Sequence, residues 1–281
     1  TYWYNNSQKS IIALYDIRDI TKASLVRSIE IDGNLSDTRL GDTGIMTAVI
    51  STSYWMPPIY RPYYMSPTKI KQPTFDYSIK NLVPQISDQQ FALGKQTSKN
   101  RDIGNCSGMS SILPKTKTLS NYSFNPTLTS ILRFDTSIPD GQITSQIVLS
   151  EAGQIHVTRE SVYLTSHMWV PKTTSTCPIN ARCASPMIWN PESSSTLVHR
   201  FAVSNTNIRY SYSRLVSGSP LTQYSMDEDA GNNFRIVTTL SSWSGGTNTS
   251  TTRLSVLNPS GTIIGSLPNI APGENFQSSR F

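Results

Sequence analysis

Charge is scarce in this sequence, long apolar runs are absent, and histidine and cysteine occur only 3 times each. Charged residues fill 15% of the 281 positions, where an ordinary soluble domain has about 25%. No apolar run approaches the roughly 18 residues that a membrane-spanning helix needs, so no transmembrane segment is expected. No Gly-x-Ser-x-Gly presents a nucleophile on a strained turn, and no phosphate-binding Gly-rich loop or dinucleotide fingerprint occurs. A closed zinc site needs four ligands, and only His167 and His199 lie near the cysteine pair Cys177 and Cys183, so neither a metal nor a cofactor is expected.

Hydroxyl side chains take the place of charge: 72 positions are Ser or Thr. A polar, weakly charged surface of this kind suits a secreted or cell-envelope protein. The first residues, Thr1-Tyr2-Trp3-Tyr4, show neither an initiator Met nor the basic-then-apolar order of a signal peptide, so the chain reads as processed or as an excerpt. At 37% hydrophobic residues a sizeable core can be buried.

The formal charge of +6 is local. Between Trp55 and Asn125 stand nine basic residues (Arg61, Lys69, Lys71, Lys80, Lys95, Lys99, Arg101, Lys115, Lys117) against Asp76, Asp88 and Asp102; the rest of the chain is neutral. Solvation of these lysines is the ordinary outcome, and an anionic glycan, headgroup or acidic partner is the sharper one. No nucleic-acid motif accompanies them.

Period-2 alternation rich in Ile, Val, Thr and Tyr runs throughout, with no sustained 3.6-residue period, which predicts an all-β fold. One pattern repeats. Strands at Ser10–Asp16, Ser130–Asp135, Leu197–Ala202 and Arg253–Asn258 place Tyr15, Phe134, Phe201 and Leu257 at matching positions. A second strand follows each, at Leu25–Ile31, Gln142–Leu149, Ile208–Val216 and Thr262–Leu267. Hairpins then fall at Ser36–Ile50, Gln154–His167 and Leu221–Leu240. Four-stranded units of about 50 residues with unequal loops predict a β-propeller, about four blades over residues 1–281, as part of a larger ring; a β-sandwich is the structural alternative.

Two insertions interrupt the repeat, residues 55–125 and 170–195. The first opens on a Pro/Tyr run containing Trp55, Tyr60, Arg61, Tyr63 and Tyr64, whose prolines forbid interior strand or helix. It reads either as a cover over the propeller or, with Lys69, Lys71, Lys115 and Lys117, as a contact surface. The second holds Cys177 and Cys183, whose spacing permits a disulfide in an oxidising compartment; two free thiols are the alternative, and Cys106 is left over, either free and reduced or paired outside the excerpt.

The segments Gln223–Glu228 with Phe234–Thr239, Leu267–Glu274 leading into Ser278–Phe281, and Tyr15–Ile17 through Ser36–Asp42 resemble the motifs of the bacterial and archaeal secreted C-terminal β-propeller family, itself distantly similar to WD40 repeats. The resemblance implies a secreted or envelope-attached propeller and carries over no catalytic residue. In the family pattern the final Arg-Phe runs on into a Gly-Asp turn and further blades. Here Arg280-Phe281 ends the chain and Thr1–Tyr4 resembles the second strand of a blade, so flanking blades are expected outside it; closure of a four-bladed ring by the terminal strands is the alternative.

Asp227-Glu228-Asp229 before Gly231-Asn232-Asn233 could offer oxygen ligands to calcium, yet it lacks the alternating spacing of an EF-hand loop and falls where a hairpin turn is expected. Asp16, Asp19, Asp135 and Asp140 sit in inter-strand turns suited to capping backbone groups. Five Asn-x-Ser/Thr sequons, at Asn5, Asn34, Asn105, Asn121 and Asn248, fit a surface-exposed chain but arise readily by chance in one so rich in Ser and Thr. The expected function is a non-enzymatic interaction module that presents loops to an extracellular protein or glycan. An extracellular hydrolase or lyase acting on a polymer at the propeller channel is the alternative.

Overall fold

Alternation becomes strands wherever one face is buried. In β2 (Ser24–Asp32) Arg27, Ile29 and Ile31 are buried at every second position, while β8 (Thr127–Asp135) is buried at its first eight residues because sheet neighbours and both faces are covered. A computed structural model describes residues 8–53, 83–92, 95–102, 109–110, 127–169, 194–244 and 247–281. It has β1 (Lys9–Asp16), β2, β3 (Asn34–Leu40), β4 (Ile45–Ser53), β5 (Gln85–Ala92), β6 (Lys95–Asp102), β7 (Met109–Ser110) and β8. There follow β9 (Thr144–Leu149), β10 (Ile155–Val157), β11 (Ser161–Trp169), β12 (Ser194–Ser204) and β13 (Asn207–Ser217). The last are β14 (Met226–Glu228), β15 (Phe234–Ser244), β16 (Thr247–Leu257) and β17 (Ile263–Ile270).

These strands make four sheets, in the orders β1-β2-β5-β6, β3-β4-β8-β9-β7, β10-β11-β12-β13 and β14-β15-β16-β17. The registered pairs are antiparallel apart from the two-residue β7, which pairs parallel with β9. The blade architecture expected from the sequence is therefore present. The chain divides into two compact units, residues 1–110 with 126–148, and residues 111–125 with 149–281. The first unit carries the first two sheets and the second carries the last two.

One expectation needs correction. Ser130–Asp135, Leu197–Ala202 and Arg253–Asn258 were expected to open the repeating unit, but they belong to β8, β12 and β16, the third strands of their sheets. The unit read from sequence straddles two blades, since periodicity gives the repeat length but not which strands pair. Within residues 55–125, the segment read from sequence as an insertion between strands, β5 and β6 extend the first sheet from the edge of β2. Lys95, Lys99 and Arg101 thus lie on an outermost strand. Asp88, the segment's central acid, is buried against Arg27, with Nε–Oδ1 at 2.9 Å and Nη2–Oδ2 at 2.7 Å. A strand buried on one side at a sheet margin is polar enough to pass for loop.

The core of the second unit forms between its two sheets. Tyr163, Val198, Tyr212, Val216, Met226, Phe234, Ile236 and Leu257 make one buried cluster. Tyr163 stacks on Phe234 with ring centroids 3.9 Å apart, so β11 and β15, the second strands of their sheets, meet through aromatic faces.

Candidate functional site

In an antiparallel four-stranded meander the first and third connections turn at one end, while the second connection and the exit from strand four lie at the other. Both ends are occupied here, by different chemistry.

At the tight-turn end, Asp16 accepts from the Arg18 amide at 3.0 Å, Asp135 from the Ser137 amide at 2.8 Å and Asn258 from the Ser260 amide at 3.1 Å. Asp19 likewise accepts from the Thr21 amide at 3.0 Å. These are the turn caps expected of such residues. Asp229 accepts from the amides of Gly231 at 2.8 Å and Asn233 at 2.9 Å, which makes its acidic cluster a turn. The neighbouring Glu228 is buried. Its Oε1 accepts from Ser161 Oγ and Tyr163 OH, both at 2.7 Å, its Oε2 from Thr158 Oγ1 at 2.5 Å, and Arg200 Nη2 stands 3.5 Å away. Arg200 also donates through Nη1 to the Pro259 carbonyl at 3.3 Å. Burial and the bond to Glu228 push the Tyr163 hydroxyl far above its ordinary pKa, so it stays a donor. One carboxylate thereby ties three turns of two sheets together.

The other end carries corners. Strand β13 runs into Gly218, whose N–H donates to the Ser194 carbonyl at 2.9 Å. Its φ is +83°, and a Cβ there would stand 2.7 Å from the Thr239 carbonyl oxygen, so only glycine allows this approach. Ser219 then exchanges both backbone hydrogen bonds with Thr239, at 3.0 and 2.9 Å. Thr196 Oγ1 closes on the Gly218 carbonyl at 2.6 Å, and Thr238 Oγ1 on that of Ser217 at 2.7 Å.

The corner recurs. Gly33 donates to the Gln8 carbonyl at 2.8 Å and presses on the Ser51 carbonyl, where a Cβ would come within 2.9 Å. Gly153 approaches Thr165, with a 3.1 Å contact for its hypothetical Cβ. Gly273 donates to the Ser250 carbonyl at 2.7 Å, yet a Cβ there would meet nothing within 4 Å.

On the Gly218 corner lies a cleft of about 370 Å³. His167, Ser194, Ser219, Thr239, Ser241 and Ser250 line it with polar groups, and Leu221 and Phe276 with apolar ones. Ser219 Oγ lies 3.1 Å from both His167 Nδ1 and Ser194 Oγ. Among the described residues no Asp, Glu, Lys or Arg lines the cleft. Among the described residues the Ser–His contact has no orienting carboxylate, and the amides of Gly218 and Ser219 are spent in the corner, leaving neither free to bind an oxyanion.

His156 and His199 fall in strands β10 and β12, as the sequence suggested. His199 is fully buried with Nε2 2.8 Å from Ser150 Oγ, and burial lowers its pKa to about 4. Among the described residues no cluster of three or more His, Cys, Asp or Glu could hold a metal ion. No helix among them is long and apolar enough to cross a membrane. The proposed contact residues Trp55, Tyr60, Arg61, Tyr63, Tyr64, Lys69, Lys71, Lys115 and Lys117 lie outside the described residues, as do Cys106, Cys177 and Cys183. What bounds them is described: residues 54–126 leave β4 and enter β8, and residues 170–193 leave β11 and enter β12, both second-to-third connections at the corner end.

The cleft residues were not singled out from sequence, because each is one Ser or Thr among 72. The available signal was the glycine at each corner, in Gly33-Asn34 after β2, Gly153-Gln154 after β9, Gly218-Ser219 after β13 and Gly273-Glu274 after β17.

The family model of the beta propeller domain matches residues 1–281, and the chain belongs to that family. A search of curated proteins finds no match.

Proposed function

We propose that this propeller is a secreted or cell-envelope interaction module that engages an extracellular protein or glycan through the corner end of its blades, without catalysing a reaction. The observation that carries the reading is the segregation of the two ends. In the second unit, tight turns and the buried Glu228 network occupy one, whereas the cleft and the strand ends where residues 170–193 leave β11 and enter β12 occupy the other; in the first unit residues 54–126 are the corresponding second-to-third connection, from β4 to β8. Loops on a rigid scaffold are where proteins place contacts. The Pro/Tyr run and the lysines of residues 55–125 belong to one of those connections and supply aromatic and cationic groups suited to a partner.

The hydrolase reading draws on the 3.1 Å contact between Ser219 and His167. Weighing against it are the spent corner amides and the uncharged lining among the described residues. Retention on cell-envelope material tests the proposal. Replacing Lys69, Lys71, Lys115 and Lys117 together by Ala is expected to weaken retention and flatten its salt dependence. Unchanged retention, with unchanged response to salt, would remove the basic segment from the contact surface.

A further inference from the structure

We infer that the cleft beside Gly218 takes an uncharged, polyhydroxylated ligand, a neutral glycan chain. The inference deepens the reading of this end of the blades as a contact surface and rests on it.

Four features single out that ligand class. First, five Ser or Thr residues line the cleft, and a hydroxyl both donates and accepts, so it matches sugar hydroxyls in either sense. His167 and Asn275 add groups with the same two-way capacity. Second, among the described residues no ionised side chain lines the cleft, so against these groups an anionic or cationic ligand would lose hydration without a compensating charge. Third, Leu221, 49% exposed, and the partly exposed Phe276 flank the hydroxyls, giving an apolar surface for the C–H face of a pyranose ring. Fourth, an extended peptide adds to a sheet through unpaired backbone groups, and at this corner those of Gly218, Ser219 and Thr239 are already bonded. The cleft volume of about 370 Å³ falls in the range of roughly 300–1,000 Å³ usual for small-ligand sites.

The cleft is also fixed before a ligand arrives. Ser219 and Thr239 are held by two mutual backbone bonds, and the Gly273 N–H on the Ser250 carbonyl returns the chain to place Asn275 and Phe276. Pre-organised hydroxyls bind with less loss of side-chain freedom than mobile ones.

Calorimetric titration of the full chain tests the inference, using maltohexaose, cellohexaose, mannohexaose and N-acetylchitohexaose as neutral probes. A heparin-derived hexasaccharide, hexagalacturonate and an uncharged Pro/Ser peptide serve as contrasts. At least one neutral probe is expected to bind with an affinity independent of salt. Leu221→Asp and Phe276→Ala should each weaken that binding about tenfold or more while the melting temperature stays unchanged, a loss of about 1.4 kcal/mol. Binding by the charged probes alone, by the peptide alone or by none of the probes would overturn the inference, as would undiminished binding by both variants. Retention on cell-envelope material separates the two readings. If retention persists in Leu221→Asp while no neutral probe binds, the ligand class is wrong and the contact function stands. If the unaltered chain is neither retained nor binds any probe, the contact function falls with it.

Discussion

The two ends of the blades in the second unit solve different problems with similar residue types. At the tight-turn end, Ser161, Thr158 and Tyr163 spend their hydroxyls on Glu228, and Arg200 joins the same carboxylate, so polar groups are buried and mutually satisfied. At the corner end, Ser194, Ser219, Ser241 and Ser250 line an open cleft. The difference shows that hydroxyl content alone says nothing of role; what matters is whether a buried charge consumes the donors. One end locks the sheets together and the other is left chemically available.

Removing the lock should have the largest effect. Glu228→Ala would leave Arg200, whose side chain is 8% exposed, buried without its carboxylate, and should cost about 3–5 kcal/mol in urea unfolding. A loss below about 1 kcal/mol would break the contrast between the ends. Acid should act next, through His199. Its pKa is lowered from 6.5 to about 4 by burial, so between these values the unfolded chain binds the proton and the folded one does not. Its contribution is therefore complete above pH 6.5 and is lost as pH falls toward 4, about 3 kcal/mol in all. Unfolding at stepped pH should show this slope, and His199→Gln should flatten it.

The corners permit a finer comparison. Gly218→Ala places a methyl 2.7 Å from a carbonyl oxygen at positive φ, while Gly273→Ala meets open space at a similar φ. Conformational strain of about 1–2 kcal/mol applies to both, and the overlap only to the first, so Gly218→Ala should be the more destabilising by at least about 1 kcal/mol. Equal losses would mean that the Gly218 corner is not tightly closed. Smallest is Phe281→Ala. It removes the ring 4.9 Å from the Arg235 guanidinium, which is partly exposed, and should cost about 0.5–1 kcal/mol in the same assay.

Much of the fold was legible in the sequence because strands announce themselves by alternation. The matching positions of Phe134, Phe201 and Leu257 do occupy equivalent strands, and Asp229 does form the turn its neighbours Gly231 and Asn233 suggest. Blade boundaries were not legible, since a continuous meander looks the same whichever strand is counted first. Nor were β5 and β6, where Ile86 is buried but the flanking Ser, Asp and Gln residues mimic a loop. The cleft was least visible. Its hydroxyls come from β12, β15, β16 and the residues after β13: Ser241 and Ser250 are partners in the β15–β16 register, and the backbone exchange between Ser219 and Thr239 joins the residues after β13 to them.

The assignment of contact to the corner end is tested most directly by hydroxyl-radical footprinting of the chain bound to cell-envelope material. Leu221, 49% exposed at the corner end, and Ile263, 37% exposed beside the β16–β17 turn, give two comparable reporters in one unit. Protection of Leu221 with Ile263 unchanged is the predicted result. Protection of Ile263 with Leu221 unchanged would contradict it.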